Sequence, residues 1–252
     1  MTFPDELILS LHAAQRVAVL TGAGVSQESG LHTFRDAYPS TSSGQGPLWA
    51  QYRPEDLATP EAFQKNPKLV WDWYAMRREK VKTVEPNPGH YALAEMARCV
   101  PNFTLITQNV DGLHQKAGST GVIELHGSLQ RVKCSVCGMQ AHGWDESAEN
   151  VPQCLLCGGL LRPDVIWFGE SLPREALEAA VLATRSSDVF FSIGTSGLVQ
   201  PAAALAFAAK NNKSLVVEVN AEPTPLTEKA DFALIGKSGE ILPILVKAVW
   251  GA

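Results

Sequence analysis

The chain has 252 residues, a length that corresponds to one or two domains and that can enclose a hydrophobic core without disulfide bonds. Hydrophobic residues make up 45% and charged residues 19% of the chain, values that exclude collagen, coiled coils and wholesale disorder. The net charge is −5 and the longest run of basic residues is Arg77-Arg78, so we expect no direct binding to nucleic acid.

The first residues lack the basic and apolar regions of a signal peptide, and the longest membrane-like segment, 202–209, has only eight residues. We therefore expect no membrane association and a cytoplasmic location.

Short apolar runs alternate with helical patterns along most of the chain. A helix is expected over 7–14, followed by a strand over 17–20 and a glycine turn. Further strands are expected over 103–107, 122–125, 189–193, 215–219 and 232–235, and further helices over 88–98, 174–184 and 201–210. Asn66-Pro67 and Asn87-Pro88 each place a capping side chain before a proline, as helix starts do. This alternation predicts an α/β protein with a parallel sheet.

Two stretches interrupt the alternation, namely 34–79 and 127–162, and the second contains four of the five cysteines. Both are interpreted as insertions into the sheet domain, which then consists of 1–33, 80–126 and 163–252.

A glycine turn, Thr21-Gly-Ala-Gly-Val-Ser26, directly follows the first strand. Glycines there let the backbone approach a pyrophosphate, which helix amides also attract. However, Gln27 stands where the dehydrogenase fingerprint has its third glycine, and no clear second strand ends in an acidic residue about 20 positions later. Taken alone, the segment remains open to interpretation as an ordinary turn.

Four cysteines form the pairs Cys134-x-x-Cys137 and Cys154-x-x-Cys157, while Cys99 stands apart. Four thiolates fill every coordination position of Zn²⁺, so the pattern predicts one structural zinc site. His142 lies in the same insertion and is an alternative ligand that fits the spacing less well. The other alternative is a set of unligated core cysteines.

Polar residues also follow two later strands. Gln108-Asn-Val-Asp-Gly112 comes after the strand at 103–107, at the edge where open α/β sheets bind ligands. His126 ends the strand at 122–125 and is a candidate general base at the same edge. Asn and Asp are also common turn residues, and a lone histidine is often structural.

Taken together and in order, these motifs resemble those of the sirtuins, a family of NAD-dependent protein deacylases, over nearly the whole chain. The segments that carry the resemblance are Thr21–Ser26, Ser29–Arg35, Thr107–Asp111, Leu125–Gly127, the two cysteine pairs, Arg162–Gly169, Gly194–Ser196 and Asn220–Glu222.

The resemblance implies a Rossmann-like large domain and a small domain with a helical module and a zinc-binding module. The two insertions match that small domain. The residues that would bind NAD are Gly22, Ala23, Gly24, Ser26, Phe34, Arg35, Gln108, Asn109, Asp111, Gly194, Thr195, Ser196, Asn220, Glu222, Ser238 and Gly239. Of these, Gln108, Asn109 and Asp111 would line the ribose and nicotinamide pocket, and Ser238 or Gly239 would touch the adenine. The segment Val165, Ile166, Trp167, Phe168 and Gly169 would pair with the backbone of an acyl-lysine peptide.

By the same resemblance, the acyl oxygen attacks the nicotinamide ribose, nicotinamide leaves, and His126 activates a ribose hydroxyl that takes the acyl group. The products would be free lysine, nicotinamide and acyl-ADP-ribose. Mono-ADP-ribosylation or NAD hydrolysis in the same pocket is an alternative activity, and a non-catalytic module that contains NAD and zinc is another.

The acyl preference is inferred from Tyr74 and Arg77, which share one face of a helix expected around 71–77. Without the family context, Tyr74 would be interpreted as an ordinary core aromatic residue and Arg77 as a solvated charge. Sirtuins that remove succinyl, malonyl or glutaryl groups carry this Tyr-x-x-Arg pair. The resemblance therefore implies a preference for acyl groups with a distal carboxylate.

Overall fold

A computed structural model describes residues 2–31, 54–146 and 149–251. These ranges contain the strands β1 (Arg16–Thr21), β2 (Asn102–Thr107), β3 (Ile123–Glu124), β4 (Gly127–Cys134), β5 (Leu161–Val165), β6 (Val189–Ile193), β7 (Leu215–Asn220) and β8 (Phe232–Ile235). The helices are α1 (Asp5–Ala13), α2 (Ala23–Gln27), α3 (Pro54–Leu57), α4 (Pro60–Lys65), α5 (Pro67–Lys82), α6 (Pro88–Cys99), α7 (Leu113–Lys116), α8 (Arg174–Ser186), α9 (Ala204–Asn211) and α10 (Ser238–Trp250).

Six of these strands form one parallel sheet in the order β3-β2-β1-β6-β7-β8. Side chains alternate between its faces, so Val17 and Val19 of β1 pack on one side and Ala18 and Leu20 on the other. Helices α1, α6 and α10 cover the first face, and α8 and α9 cover the second. The expected Rossmann-like α/β fold is confirmed.

The two Asn-Pro helix starts are confirmed in detail. The Asn66 side chain accepts from the Leu69 amide at 3.1 Å, and the Asn87 side chain accepts from the Gly89 amide at 2.9 Å. Helix α9 begins at Ala204, three residues later than expected. The reason is that the Ala204 and Leu205 amides bond to carbonyls only three residues back, which makes a tight turn before the helix.

A second core lies outside the sheet, between helices α4 and α5 and the antiparallel pair β4–β5. Trp71, Trp73 and Tyr74 of α5 are almost fully buried in it. This core also includes Val165 and Trp167, which follow the second insertion. The exact domain boundaries stay a prediction.

The chain leaves β1 on one side toward β2 and returns on its other side as β6. This change of direction opens a crevice at the carboxyl ends of the strands, where parallel α/β sheets bind ligands. Within the described ranges, no helix combines the length and apolarity needed to cross a bilayer.

Candidate active site

The glycines of the first turn allow two loops to pack tightly. A Cβ atom at Gly22 or Gly24 would lie 2.8 Å from the carbonyl oxygen of Gly194. The Gly22 and Gly24 amides donate to the carbonyls of Ile193 and Gly194, so neither amide is free for a phosphate. The glycines are therefore needed for contact between the β1 and β6 loops, a reason that the sequence alone did not reveal.

Asn109, Ser26 and Asp111 form one hydrogen-bonded group beside this turn. The Asn109 side-chain amide donates to the Gly22 carbonyl and to the Ser26 hydroxyl, both at 3.0 Å. Ser26 in turn donates to Asp111 at 2.7 Å, and the Leu113 amide donates to the other Asp111 oxygen. Burial raises the pKa of Asp111, whereas these two hydrogen bonds lower it.

A second group joins β2, β6 and β7. The Gln108 side chain donates to the Thr195 hydroxyl at 3.0 Å, and the Asn220 side chain donates to the Thr195 carbonyl at 2.9 Å. Three segments predicted to bind NAD are thus brought together at one edge of the sheet.

His126 lies at the same edge and is half-buried. Its Nδ1 is 3.0 Å from the Gln108 carbonyl, which can only accept, so Nδ1 carries the proton. Nε2 then holds the lone pair that a general base needs. Burial lowers the pKa of His126, and the bond to the carbonyl partly offsets this effect.

Sequence reasoning missed a layer of polar residues behind the cleft. Thr21 and Thr107 are paired in register at the ends of β1 and β2, and their hydroxyls are 2.8 Å apart. Thr107 accepts from the Asn109 amide, and Thr21 contacts His114 Nε2 at 2.9 Å. Burial lowers the pKa of His114 to about 3, so this imidazole is neutral at pH 7. Only the strand register, which sequence does not provide, links these residues.

The aromatic side chains of Tyr74 and Trp167 pack against each other in the second core. Tyr74 is 1% exposed, and its hydroxyl accepts from the Trp167 indole at 3.0 Å. The Arg162 guanidinium lies 3.3 Å from the centre of the Trp167 ring and binds Glu170 with two hydrogen bonds. Burial raises the pKa of Tyr74, so its hydroxyl stays protonated and can donate.

Arg77 and Arg78 point to different surroundings, as helical geometry requires. Arg77 lies 5.0 Å from the Trp73 ring, and its charge lowers the pKa of both Tyr74 and Asp111. Arg78 instead binds Glu146 at 2.5 and 2.7 Å and links α5 to the zinc-binding insertion. Of the two arginines, Arg77 is therefore the one that affects the pKa of a residue in the candidate NAD site.

The segment 165–169 is held firmly against the protein. The Ile166 amide donates to the His126 carbonyl and the Phe168 amide to the Ala58 carbonyl, both at 2.9 Å. Trp167 is buried, whereas Phe168 is 49% exposed. Pairing of a peptide along this segment stays a prediction, and these two amides would not contribute to it.

The four cysteines of the two pairs meet at one point. Their sulfur atoms all lie within 4.8 Å of one another, with Cys134–Cys157 at 3.4 Å and Cys137–Cys154 at 3.8 Å. Tetrahedral Zn²⁺ with bonds of about 2.3 Å requires sulfurs about 3.8 Å apart, so the cluster fits this ion. Gly138 and Gly158 adopt φ of 72° and 74° after each pair, which closes the two turns. His142 does not belong to the cluster found among the described residues.

The remaining residues predicted to bind NAD differ in their exposure and contacts. Ala23 and Ser196 are half-buried near the cleft, and Glu222 is exposed. The Ser238 hydroxyl and the Gly239 amide bond to Glu28. Phe34 and Arg35 lie outside the described residues.

Comparison with known proteins decides the family. The Sir2 family model matches residues 22–201. An "NAD-dependent protein deacylase 2" of Pyrobaculum aerophilum is 50% identical over 240 residues, which cover 95% of this chain and 93% of that protein. The chain belongs to the Sir2 family. The resemblance drawn from the ordered motifs is thereby confirmed, although the comparisons do not test its succinyl-specific branch.

Solved Sir2 structures agree with this fold. The crystal structure of a Sir2 homolog–NAD complex is 44% identical and has a TM-score of 0.89, covering 98% of this chain and 94% of that one. A Sir2 protein bound to acetylated peptide is 27% identical and has a TM-score of 0.84, with 98% of each chain covered. Solved Sir2 structures thus include one with NAD and one with an acetylated peptide. The individual site residues of this chain stay predictions.

Proposed function

We propose that this protein removes acyl groups from protein lysine side chains with NAD as co-substrate, and that it prefers acyl groups ending in a carboxylate. The chain is an NAD-dependent protein deacylase of the Sir2 family, with a cysteine cluster suited to one structural zinc ion. The preference for acyl groups with a distal carboxylate and the roles of individual residues are the parts that we propose here. The expected cytoplasmic location and the absence of nucleic-acid partners stay predictions.

NAD supplies the ADP-ribosyl group that accepts the acyl group: the bond to nicotinamide and the bond between the acyl carbon and the lysine nitrogen both break, and one water molecule is consumed as nicotinamide and the lysine amine are released. His126 Nε2 takes the proton from the ribose hydroxyl that attacks the acyl carbon, because its Nδ1 is committed to the Gln108 carbonyl. Hydrogen bonds of 2.7–3.0 Å fix the polar atoms of Asn109, Ser26 and Asp111 at the same edge of the sheet. Such fixed dipoles cost no reorganisation during the reaction.

The acyl preference is supported by one observation, namely that Tyr74 and Arg77 lie one turn apart on α5 and interact electrostatically. The positive charge of Arg77 lowers the pKa of both Tyr74 and Asp111, which supports a cation near both side chains. A distal carboxylate would accept hydrogen bonds from Arg77 and Tyr74. A charge-assisted hydrogen bond contributes about 1.5–3 kcal/mol, which corresponds to roughly 10- to 150-fold in selectivity.

Acyl selectivity can be measured on matched succinyl-lysine and acetyl-lysine peptides. We expect kcat/KM to be at least about tenfold higher for the succinyl peptide, because only this acyl group offers a carboxylate to Arg77. Arg77→Met should abolish the preference and leave deacetylation largely intact.

Lys80→Met is the matched control, since Lys80 is an exposed cation on the same helix. It should retain the wild-type preference. Equal or lower activity of the wild-type enzyme on the succinyl peptide would contradict the preference and return Tyr74 and Arg77 to a structural role.

A further inference from the structure

Glu28 joins two parts of the candidate NAD site that are far apart in sequence. It follows helix α2, and its carboxylate accepts from the Ser238 hydroxyl at 2.6 Å. The Gly239 amide donates to both carboxylate oxygens, at 3.1 and 3.2 Å. Ser238 and Gly239 are the first two residues of α10. One side chain therefore connects the β1 loop to a helix that begins 210 residues later.

Glu28 lies where two helices begin. The helices α6 and α10 both begin close to it, since a Cβ at Gly89 would lie 3.1 Å from the Gly239 amide nitrogen. A Cβ at Gly239 would lie 2.7 Å from a Glu28 oxygen, so a larger residue there would have to displace the carboxylate. Helix N-termini carry partial positive charge. Residue 237, which precedes α10, provides no side-chain cap, and Glu28 supplies this function from a distance.

Helix α2 is also fixed at its other contacts. Asn87 donates to the Val25 carbonyl at 2.7 Å and to the Ser29 hydroxyl at 2.9 Å. Ser26 of α2 donates to Asp111, one of the residues predicted to line the nicotinamide ribose pocket. A displacement of α2 would therefore move Asp111, which is predicted to line the nicotinamide ribose pocket. A displacement of α10 would move Ser238 and Gly239, which are predicted to lie near the adenine.

We propose that Glu28 is a positioning residue for NAD that sets the distance between the two halves of the binding site. It touches neither reacting atom. Because the Ser238 hydroxyl and the Gly239 amide both donate to Glu28, the carboxylate fixes the start of α10 relative to α2. The inference rests on the proposed NAD site.

The test compares Glu28→Ala, Glu28→Gln and the control Glu240→Gln. Glu240 is exposed in the first turn of the same helix, so its variant removes the same charge from α10 without breaking the link. We expect Glu28→Ala to raise the KM for NAD and the Kd for ADP-ribose by about tenfold, with kcat within about twofold of wild type. Glu28→Gln, which keeps an acceptor oxygen, should lie between, and the KM for acyl peptide should not change.

ADP-ribose binding separates this inference from the proposed function, since it requires no acyl chemistry. If wild type binds ADP-ribose and Glu28→Ala binds equally well, the positioning role is wrong. A loss of kcat equal to the loss of kcat/KM, or an equal effect of Glu240→Gln, would also overturn it. If Glu28→Ala does not fold, Glu28→Gln alone decides, and an unchanged KM for NAD contradicts the role. Failure of wild type to bind ADP-ribose would overturn both proposals.

Discussion

One backbone carbonyl decides which nitrogen of His126 can act as a base. Gln108 provides this carbonyl, and the Gln108 side chain bonds to Thr195 on the neighbouring loop. The tautomer of the proposed general base and the position of a predicted NAD contact are thus set by one residue. The sequence motif Leu125–Gly127 identifies His126 as a candidate base, but only the folded structure shows which ring nitrogen holds the lone pair.

The pKa of His126 predicts how activity depends on pH. Burial lowers this pKa below the ordinary value of 6.5, so the imidazole is mostly neutral at pH 7 and becomes protonated only under more acidic conditions. Because the base must be neutral, kcat/KM for an acetyl peptide should fall toward acid with a midpoint below 6.5.

Measurement of kcat/KM between pH 5 and 9 checks this expectation. His142→Ala, which removes an exposed histidine outside the cleft, should give the same profile. An acid midpoint at or above about 7 would show that His126 is not the depressed base described here.

Among the secondary-structure elements, the starts of two helices could be predicted from the sequence, whereas the strands of the insertion at 127–162 could not. Asn66-Pro67 and Asn87-Pro88 mark α5 and α6 because a cap and a proline act locally. The pair β4–β5 was not predicted, since its register shifts between Ser128 and Val132. Helix α10 was also missed, although its buried residues recur at helical spacing, because Pro243 interrupts the pattern.

The two cysteine turns lead to a prediction about metal content. The protein purified without chelator should contain about one zinc per chain, and Cys134→Ser should lose most of it and unfold at a lower temperature, because zinc binding contributes to folding of such modules. Elemental analysis and thermal unfolding measure both effects.

Cys99→Ser is the matched control, since Cys99 lies outside the cluster. It should keep its zinc. Zinc-free wild-type protein, or equal zinc in Cys134→Ser, would contradict the assignment of these four thiolates as ligands.

At the scale of the whole molecule, alternating strands and helices predicted the parallel sheet but not its strand order. That order places β1 between β2 and β6, and so brings Ser26, Asn109 and Thr195 to one edge. The ordered motifs identified the residues, whereas long-range contacts such as Glu28 to Ser238 lie 210 residues apart and leave no local signal. Hydrophobic periodicity carries information only about residues that are close together along the chain.

The most direct test of the account is a product analysis of the wild-type protein and His126→Ala with NAD and an acylated lysine peptide. Mass spectrometry should find free lysine peptide, nicotinamide and acyl-ADP-ribose in equal amounts with wild type. His126→Ala should keep its fold and lose at least about 10²-fold in kcat for deacylation, as expected for loss of a general base. Protein-bound ADP-ribose, NAD hydrolysis without deacylation, or more than a tenth of wild-type kcat in His126→Ala would contradict the account.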